Sequence, residues 1–191
     1  MPELFNCIAI SGVSTSGKTT LFKLISKILL EKHINCEKYS FAEDLKIILN
    51  EFLLKEFGIS TFTIDPKQKE IIRPILISFA EAKRKINSLF WVERIEPKVI
   101  NSINNHCLPC IDDLRYPNEE AWIKKMNGIT IHITRFDKLN NEVLPFSKEE
   151  SENNPIIKER ADYKLSWPTS NDYNLLESIV RTQLKNLIDL F

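Results

Sequence analysis

Gly12, Val13, Ser14, Thr15, Ser16, Gly17, Lys18 and Thr19 form one uninterrupted block, with Thr20 extending it. The two glycines bracket four residues and are followed at once by lysine and threonine. That spacing suits a loop whose backbone N–H groups converge on a polyphosphate. Lys18 has the reach to neutralise the outer phosphates, and the Thr19 hydroxyl is a hard oxygen ligand for Mg²⁺. The chemistry in question is therefore phosphate binding or phosphoryl transfer.

A second set of residues could complete such a site. Asp112 and Asp113 end a short apolar run, Leu108 to Ile111. A carboxylate at a strand end can hold Mg²⁺ or orient a nucleophile. Arg73, Arg84, Arg115 and Arg135 fall near expected element boundaries or sheet edges. The guanidinium fork matches phosphate oxygens, so arginines from separate segments could gather donor and acceptor phosphates. Phe41, Phe79, Phe90, Trp91 and Tyr116 flank these segments as core residues or as stacking faces for a base. Cys107 and Cys110 make a C-x-x-C pair, but it leads into a strand rather than a helix and no second ligand pair follows. Packing is the expected role of these two, as it is for Cys7 and Cys36.

The elements that must position these residues are legible in the apolar pattern. Ile8-Ala9-Ile10 reads as a buried strand, and Leu21, Leu24, Ile25, Ile28 and Leu29 recur at helical spacing. A strand is expected over Cys36 to Phe41. Ser40 and Glu43 then form a capping box for a helix carrying Leu45, Ile48, Leu49, Phe52 and Leu53, with Gly58 as its stop. Asp65, Pro66 and Gln68 open another helical stretch, which Pro74 should kink or split. Trp91, Val92, Ile95, Val99, Ile100 and Ile103 mark a further helix, bent or restarted at Pro97. Pro117 opens a helix that Gly128 stops. Strands are expected over Ile129 to Thr134 and Tyr163 to Trp167, and a closing helix over Leu175 to Ile188. Phe136 to Ile157 is polar, charged and without sustained periodicity, and long connections of this kind often serve as lids. Alternating strands and helices imply an α/β layered fold with a mainly parallel sheet.

Bulk composition sets outer bounds. The chain has 191 residues, 43% apolar and 27% charged, which fits one globular domain over 1–191. Lysine plus arginine equals aspartate plus glutamate at 26 each, so nothing favours a nucleic-acid partner. No apolar run approaches the roughly 20 residues of a membrane span. Met1-Pro2-Glu3-Leu4 has no basic start leading into an apolar stretch, so a cytoplasmic location is expected, the host cytoplasm if the source is viral.

Four blocks taken together resemble the deoxynucleoside monophosphate kinase family of phages and related P-loop proteins. They are Ser11 to Thr20; Ser40-Phe41-Ala42-Glu43-Asp44-Leu45-Lys46; Arg73-Pro74-Ile75-Leu76 through Arg84 to Phe90-Trp91-Val92; and Asp113-Leu114-Arg115-Tyr116-Pro117-Asn118-Glu119. The resemblance implies a P-loop NTPase fold of the nucleoside monophosphate kinase type, a three-layer α/β/α sandwich. It implies ATP as donor, Mg²⁺ as cofactor and a (deoxy)nucleoside monophosphate as acceptor. Phe41, Lys46, Arg73, Arg84 and Trp91 would serve the acceptor from a helical region at about 41–104. Asp113 and Arg115 would sit beside the transfer centre, and Arg135 near the donor phosphates at the start of a lid at about 136–157. Lys18, Arg84, Asp113, Arg115 and Arg135 form the implied catalytic set, and Thr19, Asp112 and Asp113 the metal set. The chain departs from the family at Thr19, where many relatives have aspartate, and at Ser78 and Ala80, where glycine is frequent. Ser151-Glu152 only echoes the His-x-Ser-Glu element of the lid, and Trp167-Pro168-Thr169-Ser170 replaces an asparagine-containing segment. A kinase of another phosphorylated acceptor, of phosphomevalonate type, and a non-catalytic nucleotide-binding module stay open, as does a homodimer.

Overall fold

The computed structural model describes residues 5–191; Met1-Pro2-Glu3-Leu4, and the reading made of them, lie outside the described residues. Its elements in chain order are β1 (Ile8–Ser11), α1 (Lys18–Leu30), β2 (Cys36–Tyr39), α2 (Phe41–Phe57), α3 (Pro66–Ile86) and α4 (Phe90–Asn104). Then follow β3 (Leu108–Leu114), α5 (Pro117–Lys125), β4 (Ile129–Phe136), α6 (Lys148–Arg160), β5 (Tyr163–Pro168), α7 (Tyr173–Gln183) and α8 (Lys185–Ile188). The chain divides into two compact units, Met1–Tyr39 with Lys98–Phe191, and Ser40–Pro97.

The first unit is built on a five-stranded sheet in the order β2-β3-β1-β4-β5. Every pairing is parallel. Helices flank the sheet, as the alternating pattern requires. β1, β3 and β4 are buried almost throughout, so their sequences read as continuous apolar runs rather than as alternation. Ile8, Ile10, Ile129, Ile131, Ile133 and Leu165 of the sheet meet Leu21, Leu24, Ile25 and Ile28 of α1 and Leu176 and Val180 of α7 in one core. Strand order reverses direction on either side of β1. In an open parallel sheet, that reversal leaves a crevice outside the carboxyl ends of the strands.

The register between β1 and β3 carries an irregularity of use to the site. Ala9 is opposite Ile111, yet Ser11 is opposite Leu114. β3 therefore has one residue more than β1 across the Asp112-Asp113 step. Such a bulge bends a strand and re-aims side chains that a regular pleat would send to opposite faces.

The second unit is helical. α2 buries Phe41, Leu45, Leu49 and Leu53 at helical spacing, and Gly58 closes it in the left-handed conformation, φ 64°. Ser40 is its N-cap residue without a side-chain cap hydrogen bond, so the capping box read from Ser40 and Glu43 is not formed. α3 starts as expected: Asp65 accepts from the Lys67 N–H and Pro66 occupies the first turn. Gln68 is not its capping partner; its carbonyl oxygen accepts from the Thr63 hydroxyl.

Neither proline splits its helix. α3 runs unbroken through Pro74, and α4 runs through Pro97. Each proline removes one backbone donor, a loss that a helix of 21 or 15 residues absorbs while its buried residues stay anchored. The polar stretch 136–157 is also more ordered than its lack of periodicity suggests. It ends β4, turns, and then forms α6, which buries only Glu150 and Ile157. A helix with so little apolar surface leaves no amphipathic stripe to read.

No helix among the described residues is long and apolar enough to cross a membrane.

Candidate functional site

The loop after β1 is tied down by its own backbone and by its neighbours. The Ser16 N–H donates to Val13 O at 3.1 Å, and α1 begins directly behind Gly17. Gly17 has φ 98°, and a Cβ there would stand 2.6 Å from the Trp167 ring. The same indole donates to Ser16 O at 2.9 Å. Arg135, at the end of β4, donates through Nη1 to Thr15 O and through Nε to the Thr169 hydroxyl at 2.8 Å. Two residues from the ends of β4 and β5 thus clamp the outer side of the loop. The loop leads into the N-terminus of a 13-residue helix whose dipole favours an anion.

Lys18 lies inside this arch. Its Nζ donates to Gly12 O and Val13 O, both at 2.8 Å. Burial, reinforced by the Arg115 cation, lowers its pKa to about 8, against the opposing pull of Glu150, Asp113 and Asp112. Those influences place the carboxylates of β3, the guanidinium of Arg115 and a glutamate of α6 all within the electrostatic reach of one ammonium group.

The exposed Thr19 meets the sheet edge directly. Its hydroxyl donates to Asp112 Oδ2 at 2.8 Å. Lys38, near the end of β2, makes an ion pair with the same oxygen at 3.0 Å. Asp112 is only 5% exposed, so these two partners account for its tolerance as a buried carboxylate. One hydroxyl and one carboxylate suit a Mg²⁺ ion that takes its remaining ligands from phosphate and water. Among the described residues there is no cluster of three or more histidine, cysteine, aspartate or glutamate side chains arranged to hold a metal without such help.

Arg115 follows β3 immediately. Its own N–H and that of Tyr116 donate to Glu119 Oε2 at 3.0 and 3.1 Å. Glu119, 1% exposed, thereby fixes the turn into α5 and the point from which the guanidinium extends. This gives a structural reason for the Asp-x-Arg-Tyr-Pro-Asn-Glu sequence. Arg115 Nη1 donates to Glu150 Oε1 at 2.8 Å. Glu150 Oε2 in turn accepts from the Ser14 N–H at 3.2 Å and the Phe146 N–H at 3.0 Å. Glu150 is a central member of the site that sequence reading missed. Its signal was present: Ser147-Lys148-Glu149-Glu150 is a helix-start pattern, and Ser147 does cap α6. The glutamate simply does more than cap.

Below the loop, the buried His132 shares a 2.9 Å hydrogen bond between Nδ1 and the Ser11 hydroxyl. Burial, with Lys158, Lys18 and Lys164 nearby, lowers its pKa to about 4. It is a neutral support for the end of β1.

The structure thus gathers Lys18, Thr19, Asp112, Asp113 and Arg115 from the predicted set around one loop, and adds Glu150 and Lys38. Arg135 belongs to the loop's outer clamp, its guanidinium engaged with Thr15 and Thr169. The acceptor set, Phe41, Lys46, Arg73, Arg84 and Trp91, lies in the second unit. Arg73 and Arg84 are half-buried on α3 and three turns apart, so they share a helix face about 16 Å apart along the axis. Phe41 and Trp91 are 4% and 2% exposed, and the Trp91 indole donates to Ala80 O at 3.3 Å. Both are committed to the helical core here, so neither presents a stacking face. The four cysteines are unpaired as disulfides, and burial pushes the Cys7 thiol up to about 12 and Cys110 well above its ordinary value. Cys110 is therefore a packed thiol rather than a reactive one.

A scan against protein-family models finds no match to this sequence, and a search of curated proteins finds no significantly similar chain.

Proposed function

We propose that the chain is a nucleoside monophosphate kinase, with deoxynucleotides as its preferred acceptors, moving the γ-phosphoryl group of ATP to the acceptor's 5′-phosphate. The observation that carries this reading is the convergence of Lys18, Thr19, Asp112 and Arg115 at the carboxyl edge of a parallel sheet. The loop amides and Lys18 hold the donor phosphates. Thr19 and Asp112 would hold Mg²⁺, which when bound supplies charge neutralisation between the phosphates. Arg115 is suited to the charge that develops on the transferring group. Little covalent work falls to the protein in such a reaction; positioning and electrostatics supply the rate. The acceptor roles of Arg73 and Arg84 rest on the sequence resemblance.

The test is direct. The protein is incubated with ATP, Mg²⁺ and each common ribo- and deoxynucleoside monophosphate, and diphosphate products are quantified. Transfer to one or more deoxynucleotides at rates well above ATP hydrolysis is expected. Transfer only to a non-nucleotide monophosphate, or nucleotide binding with no transfer, overturns the proposal. Arg73→Ala and Arg84→Ala are each expected to weaken monophosphate use far more than binding of an ATP analogue. Equal losses for both ligands, or none, remove the acceptor role.

A further inference from the structure

Glu150 is the least expected charge at the loop. It enters from α6, yet its carboxylate is nearly sealed from solvent, with a side-chain exposure of 6%. Three donors of the kind that bind phosphate meet it: the Ser14 amide at 3.2 Å, the Phe146 amide at 3.0 Å and Arg115 Nη1 at 2.8 Å. Lys18 stands close enough for Glu150 to act on its charge, alongside Asp112 and Asp113. A carboxylate presents two anionic oxygens on a planar centre, which is a fair imitation of one edge of a phosphoryl group.

Helix packing offers little reason for this placement. Only Glu150 and Ile157 of α6 are buried, and beyond them the helix is tied by the ion pairs of Lys158 with Glu142 and of Arg160 with Glu120. Without its donors, a buried carboxylate would be strongly disfavoured. Equally, a loop amide and Arg115 turned toward an empty anion position would lack a partner. Each half of the arrangement compensates the other until a stronger anion arrives.

We propose that Glu150 is an internal phosphate surrogate: its carboxylate occupies an anion position at the mouth of the loop in the nucleotide-free chain, and the donor's outer phosphate takes that position by displacing it. The proposal rests on the reading of the Gly12–Thr19 loop as a phosphate site. Displacement frees Arg115 at the moment its charge is needed and loosens α6 from the loop. Phosphate binding and movement of α6 are then one event, in which the incoming phosphate must outbid a charge already in place. The cost is affinity: part of the attraction between loop and phosphate is spent on expelling a carboxylate. The gain is that Lys18 and Arg115 are never left unbalanced.

The experiment uses the full chain and inorganic tripolyphosphate as probe, measured by titration calorimetry at fixed ionic strength. Glu150→Gln keeps the shape and a carbonyl acceptor but removes the charge, and is expected to bind tripolyphosphate about tenfold more tightly than wild type, since hydrogen bonds to charged groups are roughly twice as strong as neutral ones. A second measurement needs no variant. Hydrogen exchange of wild type with saturating tripolyphosphate should show the amides of α6 losing protection while the Ser14 amide keeps it, because α6 is released from the loop and Ser14 passes from carboxylate to phosphate. Unchanged or weaker binding by Glu150→Gln overturns the surrogate role, as does α6 protection that is unchanged with the probe bound. Absence of tripolyphosphate binding in both proteins instead overturns the phosphate-loop reading beneath it.

Discussion

Lys18 carries its charge in a largely buried position. Its pKa is lowered to about 8 by burial. A bound phosphate brings negative charge and raises it again, so binding near pH 8 should take up roughly half a proton per site. Calorimetry in two buffers of different ionisation enthalpy measures that uptake, and Lys18→Ala should abolish it. The same variant should lower phosphoryl transfer about 10²-fold or more with far-UV circular dichroism unchanged. The effect on stability has a defined sign. The folded value lies below the unfolded 10.5, so the unfolded chain binds the extra proton between about pH 8 and 10.5, and stability from this group rises with pH across that window. Lys18 and Thr19 were legible because loop chemistry fixes their spacing, and Asp112 because it ends an apolar run. Glu150 was not, because the contact that gives it meaning joins residues 14, 115 and 150, and no local period encodes such a meeting.

Among the elements, the loop and its clamp behave as one construction. Gly17→Ala would set a methyl group 2.6 Å from the Trp167 ring at φ 98°. Gly58→Ala at φ 64° meets nothing within 4 Å, so it bears only the left-handed penalty of about 1 kcal/mol. Chemical denaturation should therefore rank Gly17→Ala as clearly more destabilising, and only that variant should lose phosphate binding. Trp167→Phe keeps most of the ring but removes the indole donor to Ser16 O, with an expected cost of about 1 kcal/mol and weaker tripolyphosphate binding. Element types were readable from apolar spacing and from signals such as Asp65-Pro66 and Gly58. The errors came where local rules met tertiary support. For Pro74 a kink or a split is expected and for Pro97 a bend or a restart, because proline removes a donor; neither the split nor the restart is found, since α3 and α4 run through. The bulge at Asp112-Asp113 left no sequence trace, since two adjacent aspartates look the same in a regular strand.

At the scale of the whole molecule, stability should fall on the acid side for an identifiable reason. His132 is 1% exposed and neutral in the fold, with a pKa of about 4 against 6.5 when unfolded. As pH drops from 6.5 toward 4 the unfolded chain takes up a proton that the folded chain refuses, and folding free energy is lost. Urea denaturation at pH 7 and pH 4.5 should show that His132→Asn reduces the acid loss by about 2–3 kcal/mol relative to wild type. An unchanged pH dependence would show that other groups govern the acid limb. The parallel α/β class followed from alternation of periods along the sequence. Strand order did not, because β1 takes its neighbours from β3 and β4 rather than from the next strand in the chain.

The division of the chain has a kinetic consequence. Ser40–Pro97 is one unbroken stretch, whereas the sheet unit is drawn from both sides of it. β2 and β3 pair only after the whole intervening segment has been looped out, and the entropy of that closure must be spent before any ladder bond forms. The helical stretch relies on contacts close in sequence, such as those of α2 with α3, and such contacts form fast. Early collapse of that stretch would shorten the loop that β2 and β3 must close. Completion of the sheet is therefore the step expected to be slow in refolding, with helical signal returning before β2–β3 amide protection.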